Sequence, residues 1–108
     1  MTDKELLELA AKAAGIYKDA LDCEWYDPHG YVRPDWNPLH DDGDALRLAV
    51  KLEVTIYTPQ TKTMQYDIAC AQNFDGAIDC CEKSESDPYA ATRRAIVRAA
   101  AEIGKEMK

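Results

Sequence analysis

Asp41, Asp42 and Asp44 crowd around Gly43 in the stretch Trp36-Asn37-Pro38-Leu39-His40-Asp41-Asp42-Gly43-Asp44-Ala45-Leu46. Carboxylates this close together can hold Mg²⁺ or Ca²⁺, which take oxygen ligands. An EF-hand loop, however, places its first ligand five residues before the glycine, and that position is Pro38. The same carboxylates suit a helix start. Placed before and within the first turn, they accept otherwise unpaired N–H groups and complement the helix dipole, each stabilising by about 0.3–1 kcal/mol. Capping is therefore the reading adopted for Asp41, Asp42 and Asp44, and a metal-dependent enzyme centred on them is the competing one.

Histidine and cysteine offer less. Cys23, His29, His40, Cys80 and Cys81 could in principle gather around zinc, but structural zinc sites show close ligand pairs such as Cys-x₂₋₄-Cys, and none is present. A Cys–His catalytic pair lacks a third group whose position the spacing specifies. No cofactor and no catalytic residue is assigned. The aromatics Trp25, Tyr26, Tyr31 and Trp36 could stack bases, yet residues 19–44 carry Asp19, Asp22, Glu24, Asp27, Asp35 and the Asp41–Asp44 cluster against Arg33 alone. They read instead as a small satellite core anchored by Trp36, or as an interaction hot spot, where Trp and Tyr dominate. Arg93, Arg94 and Arg98 could grip phosphate. The simpler expectation is a solvated helix face with Arg98 paired to Glu102 at i,i+4.

The elements that would position these residues follow from periodicity and turn chemistry. Thr2 and Glu5 form a capping box for a helix over 3–14, with an apolar stripe of Leu6, Leu9, Ala10, Ala13 and Ile16 or Tyr17 and a stop at Gly15. Asp27-Pro28-His29-Gly30 is a turn, with a small hairpin expected within 21–36. A helix follows over 41–52 with Leu46, Ala49, Val50 and Leu39 facing inward. Three strands are expected at 53–58, 61–71 and 77–83. Their common faces carry Val54 and Ile56, then Met64, Tyr66, Ile68 and Cys70, then Ile78 and Cys80. Asp87-Pro88 opens a last helix whose inner side holds Tyr89, Thr92, Ile96, Ala99, Ala100, Ile103 and Met107. The order helix-hairpin-helix-β-β-β-helix predicts one α+β domain over 1–108, a three-stranded antiparallel meander packed against helices.

Composition narrows the function classes. The chain has 108 residues, 46% hydrophobic and 31% charged, as expected of one folded domain. Its net charge of −7 disfavours nonspecific binding to nucleic acid or anionic membrane. No secretory signal and no run of membrane-spanning length is visible, which predicts an intracellular protein with free thiols at Cys23, Cys70, Cys80 and Cys81. Adjacent Cys80 and Cys81 would point to opposite faces of a strand and should not pair with each other. Charge is acidic through the first half and locally basic on the last helix, which favours oriented association, a homodimer included.

Two segments carry a resemblance: Trp36-Asn37-Pro38-Leu39-His40-Asp41-Asp42-Gly43-Asp44-Ala45-Leu46-Arg47-Leu48-Ala49, and Asp87-Pro88-Tyr89-Ala90-Ala91-Thr92-Arg93-Arg94-Ala95-Ile96-Val97-Arg98-Ala99-Ala100. They resemble segments of small uncharacterised proteins of tailed bacteriophages and prophages, which share a Trp-Asn-Pro-Leu loop and an Arg-rich C-terminal helix. The resemblance implies an accessory protein in the bacterial cytoplasm. It carries no activity and no functional residues with it.

The function expected from these observations is non-enzymatic binding to a host or phage protein of basic character, modulated by polyanion-like charge. Partner contacts are expected at Trp25, Tyr26, Tyr31, Asp41, Asp42, Asp44, Arg94 and Arg98. A nucleic-acid-binding module is the alternative, because helix-β-β-β-helix is the element order of a double-stranded-RNA-binding domain. The acidic residues Glu82, Glu85 and Asp87 beside the last helix argue against it.

Overall fold

The computed structural model describes residues 2–59, 68–84 and 87–107. Helix α1 spans Asp3–Ala14. Its N-cap Thr2 accepts a hydrogen bond from the Glu5 backbone N–H, and Gly15 closes it in the left-handed conformation at φ 76°. The short strands β1 (Tyr17–Lys18) and β2 (Trp25–Tyr26) follow, then helix α2 (Asp42–Lys51), strands β3 (Thr55–Tyr57), β4 (Ile68–Gln72) and β5 (Asp79–Lys83), and the long helix α3 (Pro88–Glu106). The class is α+β. In place of one meander there are two small antiparallel sheets, a two-stranded β1-β2 sheet and a three-stranded β3-β4-β5 sheet. Among the described residues, no helix is long and apolar enough to cross a membrane.

Helix α3 is the hub, packing against α1, α2 and the β3-β4-β5 sheet. Contact with three partners explains its composition. Ala91, Ala95, Ile96, Val97, Ala99, Ala100, Ala101 and Gly104 are all buried, spread around more than one side of the helix. Small side chains let the neighbouring backbones approach closely, and α1 answers with Ala10, Ala11 and Ala14. Of the expected stripe Ile96, Ala99 and Ala100 are packed, whereas its ends, Tyr89 and Met107, are exposed. Asp87 caps α3 by accepting from Ala90 N, with Pro88 in the first turn.

The same preference for small residues overturns two expected faces. On α2 the buried side is Ala45, Leu48 and Ala49, while Leu46 and Val50 are exposed. Alanines at i and i+4 allow close approach to α3, whereas Leu46 borders an open groove of about 500 Å³ with Ile56, Tyr89 and Ile96. On β4 it is Ala69 and Ala71 that lie fully buried beneath α3, which turns Ile68 and Cys70 to the outer face. Val54, Ile56 and Ile78 pack on the core as expected, and Cys80 is buried. Met64 and Tyr66, also expected inward, lie outside the described residues.

The outward turn of β4 has a covalent consequence. Cys70 and Cys81 sit directly opposite each other in the β4-β5 register and are joined as a disulfide. The expectation of four free thiols is therefore corrected: Cys23 and Cys80 are the free cysteines. Composition could not show that two cysteines on neighbouring strands share one face at one ladder position. Cys80 and Cys81 do point to opposite faces, one buried and one exposed.

Candidate interaction surface

The Asp41–Asp44 carboxylates are each engaged in shaping the chain. Asp41 caps α2 by accepting from Asp44 N at 2.7 Å. Asp44 accepts from Asn37 N at 3.0 Å and from the Arg47 guanidinium at 2.8 Å. Asp42 meets Arg93 at 2.6 Å, and Arg93 also donates from Nε to the Leu39 carbonyl at 2.9 Å. Arg93 thereby fastens α3 to the loop that leads into α2. Asn37 completes the loop, its side chain accepting from Leu39 N and its carbonyl accepting from His40 N and Asp41 N. Trp36, Pro38 and Leu39 lie buried beneath this network. The side chains of Asp41 and Asp42 remain 59% and 69% exposed, but that of Asp44 only 13%, so Asp44 is withdrawn from the acidic surface.

Arg94 and Arg98 face acidic groups of their own chain. Arg94 pairs with Asp3 at 3.0 Å, and Arg98 with Glu82 at 2.7 Å and the Cys81 carbonyl at 3.1 Å. Glu82 takes the place expected for Glu102, which pairs instead with Lys105. The β5 strand runs alongside α3, so a carboxylate on the sheet reaches Arg98 better than one on its own helix. The hydrogen bond to Glu82 holds the Arg98 guanidinium above its ordinary value.

The aromatic cluster divides into an inner and an outer half. Register pairs Tyr17 with Tyr26 and Lys18 with Trp25, and an isolated bridge sets Val32 opposite Tyr26. The expected hairpin turn at 27–30 is present in this reduced form, while the paired strand beside β2 is β1, which precedes it. Directly opposed residues share a face. Trp25 therefore points inward, 5.2 Å from the Trp36 ring, with the Lys18 ammonium over its other side. Tyr17, Tyr26 and Val32 form the opposite face. Tyr17 and Tyr26 are stacked at 5.6 Å, and Tyr17 and Val32 are 50% and 48% exposed. Tyr31 is exposed at the edge of the turn. Tyr17 and Val32 were missed by sequence reasoning, because only the pairing of three short segments brings them together.

The β1–β2 loop places charge next to that face. Asp19 and Asp22 accept from the backbone N–H of Leu21 and Glu24, which folds the loop back on itself and leaves Leu21, Asp22 and Glu24 exposed. Asp27 behaves differently: it is buried, accepts from His29 N and Tyr31 N, and has Arg33 at 3.5 Å. Those backbone donors hold its carboxyl below the usual range. On the far side of the turn a cleft of about 240 Å³ runs between α1 and α2, walled by Trp36 and rimmed by His29, Arg33, Arg47 and Lys51.

Tyr26 donates its phenolic proton to the Asp22 carboxylate. That bond lowers Asp22 and, together with nearby carboxylates, pushes Tyr26 from 10.0 up to about 12. A raised folded value means the contribution of this bond is fully present below pH 10, where both states keep the proton, and is lost between pH 10 and about 12 as the unfolded chain ionises first. For Asp22 the sign reverses, and the contribution is lost as pH falls through the carboxylate range. Spectrophotometric titration of phenolate should show one tyrosine ionising late in the native chain. Asp22→Asn should bring it back toward 10, and an unaltered titration curve would refute the assignment.

One group of three potential metal ligands occurs among the described residues, formed by Cys70, Asp79 and Cys81. The Asp41–Asp44 cluster does not make such a group. Compared with family models, with curated proteins and with solved structures, the chain matches none.

Proposed function

We propose that this chain is a non-enzymatic interaction protein that binds a basic, partly apolar segment of another protein through the Tyr17–Tyr26–Val32 face. The observation that carries the reading is the composition of that face and its border. Tyr17 and Val32 stand exposed, as does Leu21 in the adjoining loop, with half-buried Tyr26 stacked on Tyr17, Asp22 and Glu24 exposed in that loop and Asp19 half-buried at its base. Rigid aromatics supply contact area at low entropic cost, and the carboxylates select positive charge and speed encounter. The only cation of β1, Lys18, turns to the other side over Trp25. Asp41 and Asp42 extend the acidic field along the chain. The resemblance to phage accessory proteins favours a bacterial host protein as the partner.

The reading is tested with paired baits in bacterial lysate, one wild type and one carrying Tyr17→Ser and Val32→Ser. A protein held by the first bait, lost from the second and released by salt is the expected result. With that partner in hand, Glu24→Gln should weaken binding several-fold at low salt and have little effect near 0.5 M, where the screening length is only about 4 Å. Equal retention on both baits, or binding indifferent to salt, would overturn the proposal. Arg94 and Arg98 serve as a control, since retention of RNA or DNA at low salt would point to the last helix instead.

A further inference from the structure

The outer face of the β3-β4-β5 sheet carries chemistry that the interaction face does not use. Cys70 and Cys81 oppose each other on it, and the next ladder position on the same face pairs Gln72 with Asp79. Cys70 Sγ, Cys81 Sγ and a carboxylate oxygen of Asp79 all lie within 4.8 Å of one another. The Cys81 sulfur, here half of the disulfide, is 3.5 Å from Asp79 Oδ1. In a tetrahedral zinc site, with Zn–S near 2.3 Å and Zn–O near 2.1 Å, a sulfur and an oxygen ligand stand about 3.6 Å apart.

We propose that, with the Cys70–Cys81 bond reduced, Cys70, Cys81 and Asp79 form a surface site for a thiophilic divalent cation such as Zn²⁺, which the disulfide closes. Reduction breaks the S–S bond and takes two electrons and two protons from a dithiol, which is itself oxidised to a disulfide. Cation binding then releases the two thiol protons as both sulfurs become thiolate ligands. The sulfurs must separate to about 3.8 Å to share one tetrahedral ion. Side-chain rotation at the exposed Cys81 allows this without moving the ladder. Two residues on β5 and one on β4 are held in register by backbone hydrogen bonds, so the donor set is pre-positioned. The fourth position faces solvent and takes water. Cys80 cannot contribute, because its side chain points to the core beneath α3.

The test uses Co²⁺ as a spectroscopic stand-in. The full chain is reduced with a water-soluble phosphine, which is oxidised to its phosphine oxide, and the reductant is then removed. Titration should produce one equivalent of thiolate-to-cobalt charge-transfer absorption, displaced by Zn²⁺ and absent from the disulfide form. Cys81→Ser should abolish the band. Asp79→Asn, which keeps both thiols and leaves the buried face of the sheet untouched, should weaken affinity by about tenfold or more. A Cys23→Ser, Cys80→Ser chain should bind as the wild type does. Absence of the band in reduced chain with native helical circular dichroism would overturn the proposal. So would a band that survives Cys81→Ser, or affinity unchanged by Asp79→Asn.

Discussion

Replacing Gly104 with alanine should destabilise the fold by about 2 kcal/mol, although alanine is the better helix former by about 1 kcal/mol. A Cβ at Gly104 would stand 2.1 Å from the Leu9 carbonyl oxygen, 2.9 Å from its carbon and 3.3 Å from its Cα. All three are backbone atoms of α1, so no rotamer can yield. The helices must move apart, which loosens Ala10, Ala11 and Ala14 against α3 and forfeits dispersion along the whole seam. Overpacking typically costs 1–3 kcal/mol, and the missing relief places this site at the upper end before the helix-propensity gain is subtracted. Urea unfolding reads the result as a midpoint lowered by about 1 M at unchanged slope. Gly76→Ala separates crowding from backbone strain. Its φ is 76° but nothing lies near its would-be Cβ, so it should cost only the left-handed penalty of about 1 kcal/mol. A Gly104→Ala chain as stable as wild type would mean that α1 and α3 do not pack as closely as described.

Local chemistry was legible from sequence, and inter-element geometry was not. Thr2, Asp41 and Asp87 cap their helices because a short polar side chain ahead of an apolar period has little else to do. Gly15 and Gly76 adopt positive φ where the pattern breaks. The faces of α2 and β4 were misread for one reason. Hydrophobic periodicity ranks Leu46, Val50 and Ile68 above Ala45 and Ala69, whereas a sheet and two helices crowded around α3 leave room for alanine at these two positions. That space is a property of the assembled fold. The disulfide and the Tyr17–Tyr26–Val32 face were hidden for the same cause, since each depends on which strands are neighbours and in what register. The Asp41–Asp44 cluster was the easiest feature to see and the easiest to overvalue. Its carboxylates tie Asn37, Arg47 and Arg93 into place around Trp36.

Trp36 is where stability and the proposed interaction meet, and Trp36→Ala should cost about 3 kcal/mol. Burial of a tryptophan is normally worth 3–5 kcal/mol on truncation; the neighbouring cleft of about 240 Å³ lets water and side chains occupy part of the void, which favours the lower figure. Trp36 is only 6% exposed and supports Trp25 from beneath. Trp25 in turn fixes the inner side of the β1-β2 ribbon whose outer side carries Tyr17 and Tyr26. Truncation at Trp36 should therefore weaken partner binding as well as stability, without touching any exposed residue. Trp36→Phe preserves a ring against Trp25 and should recover more than half of both losses. Glu24→Gln offers the contrasting pattern, with weaker low-salt binding and nearly unchanged unfolding, because Glu24 is exposed and its side chain makes no hydrogen bond or ion pair among the described residues. If Trp36→Ala unfolds the chain more easily yet binds the partner as tightly as wild type at a temperature where both are folded, the contact surface lies elsewhere, and the Tyr17–Tyr26–Val32 face is only a lid on the satellite core.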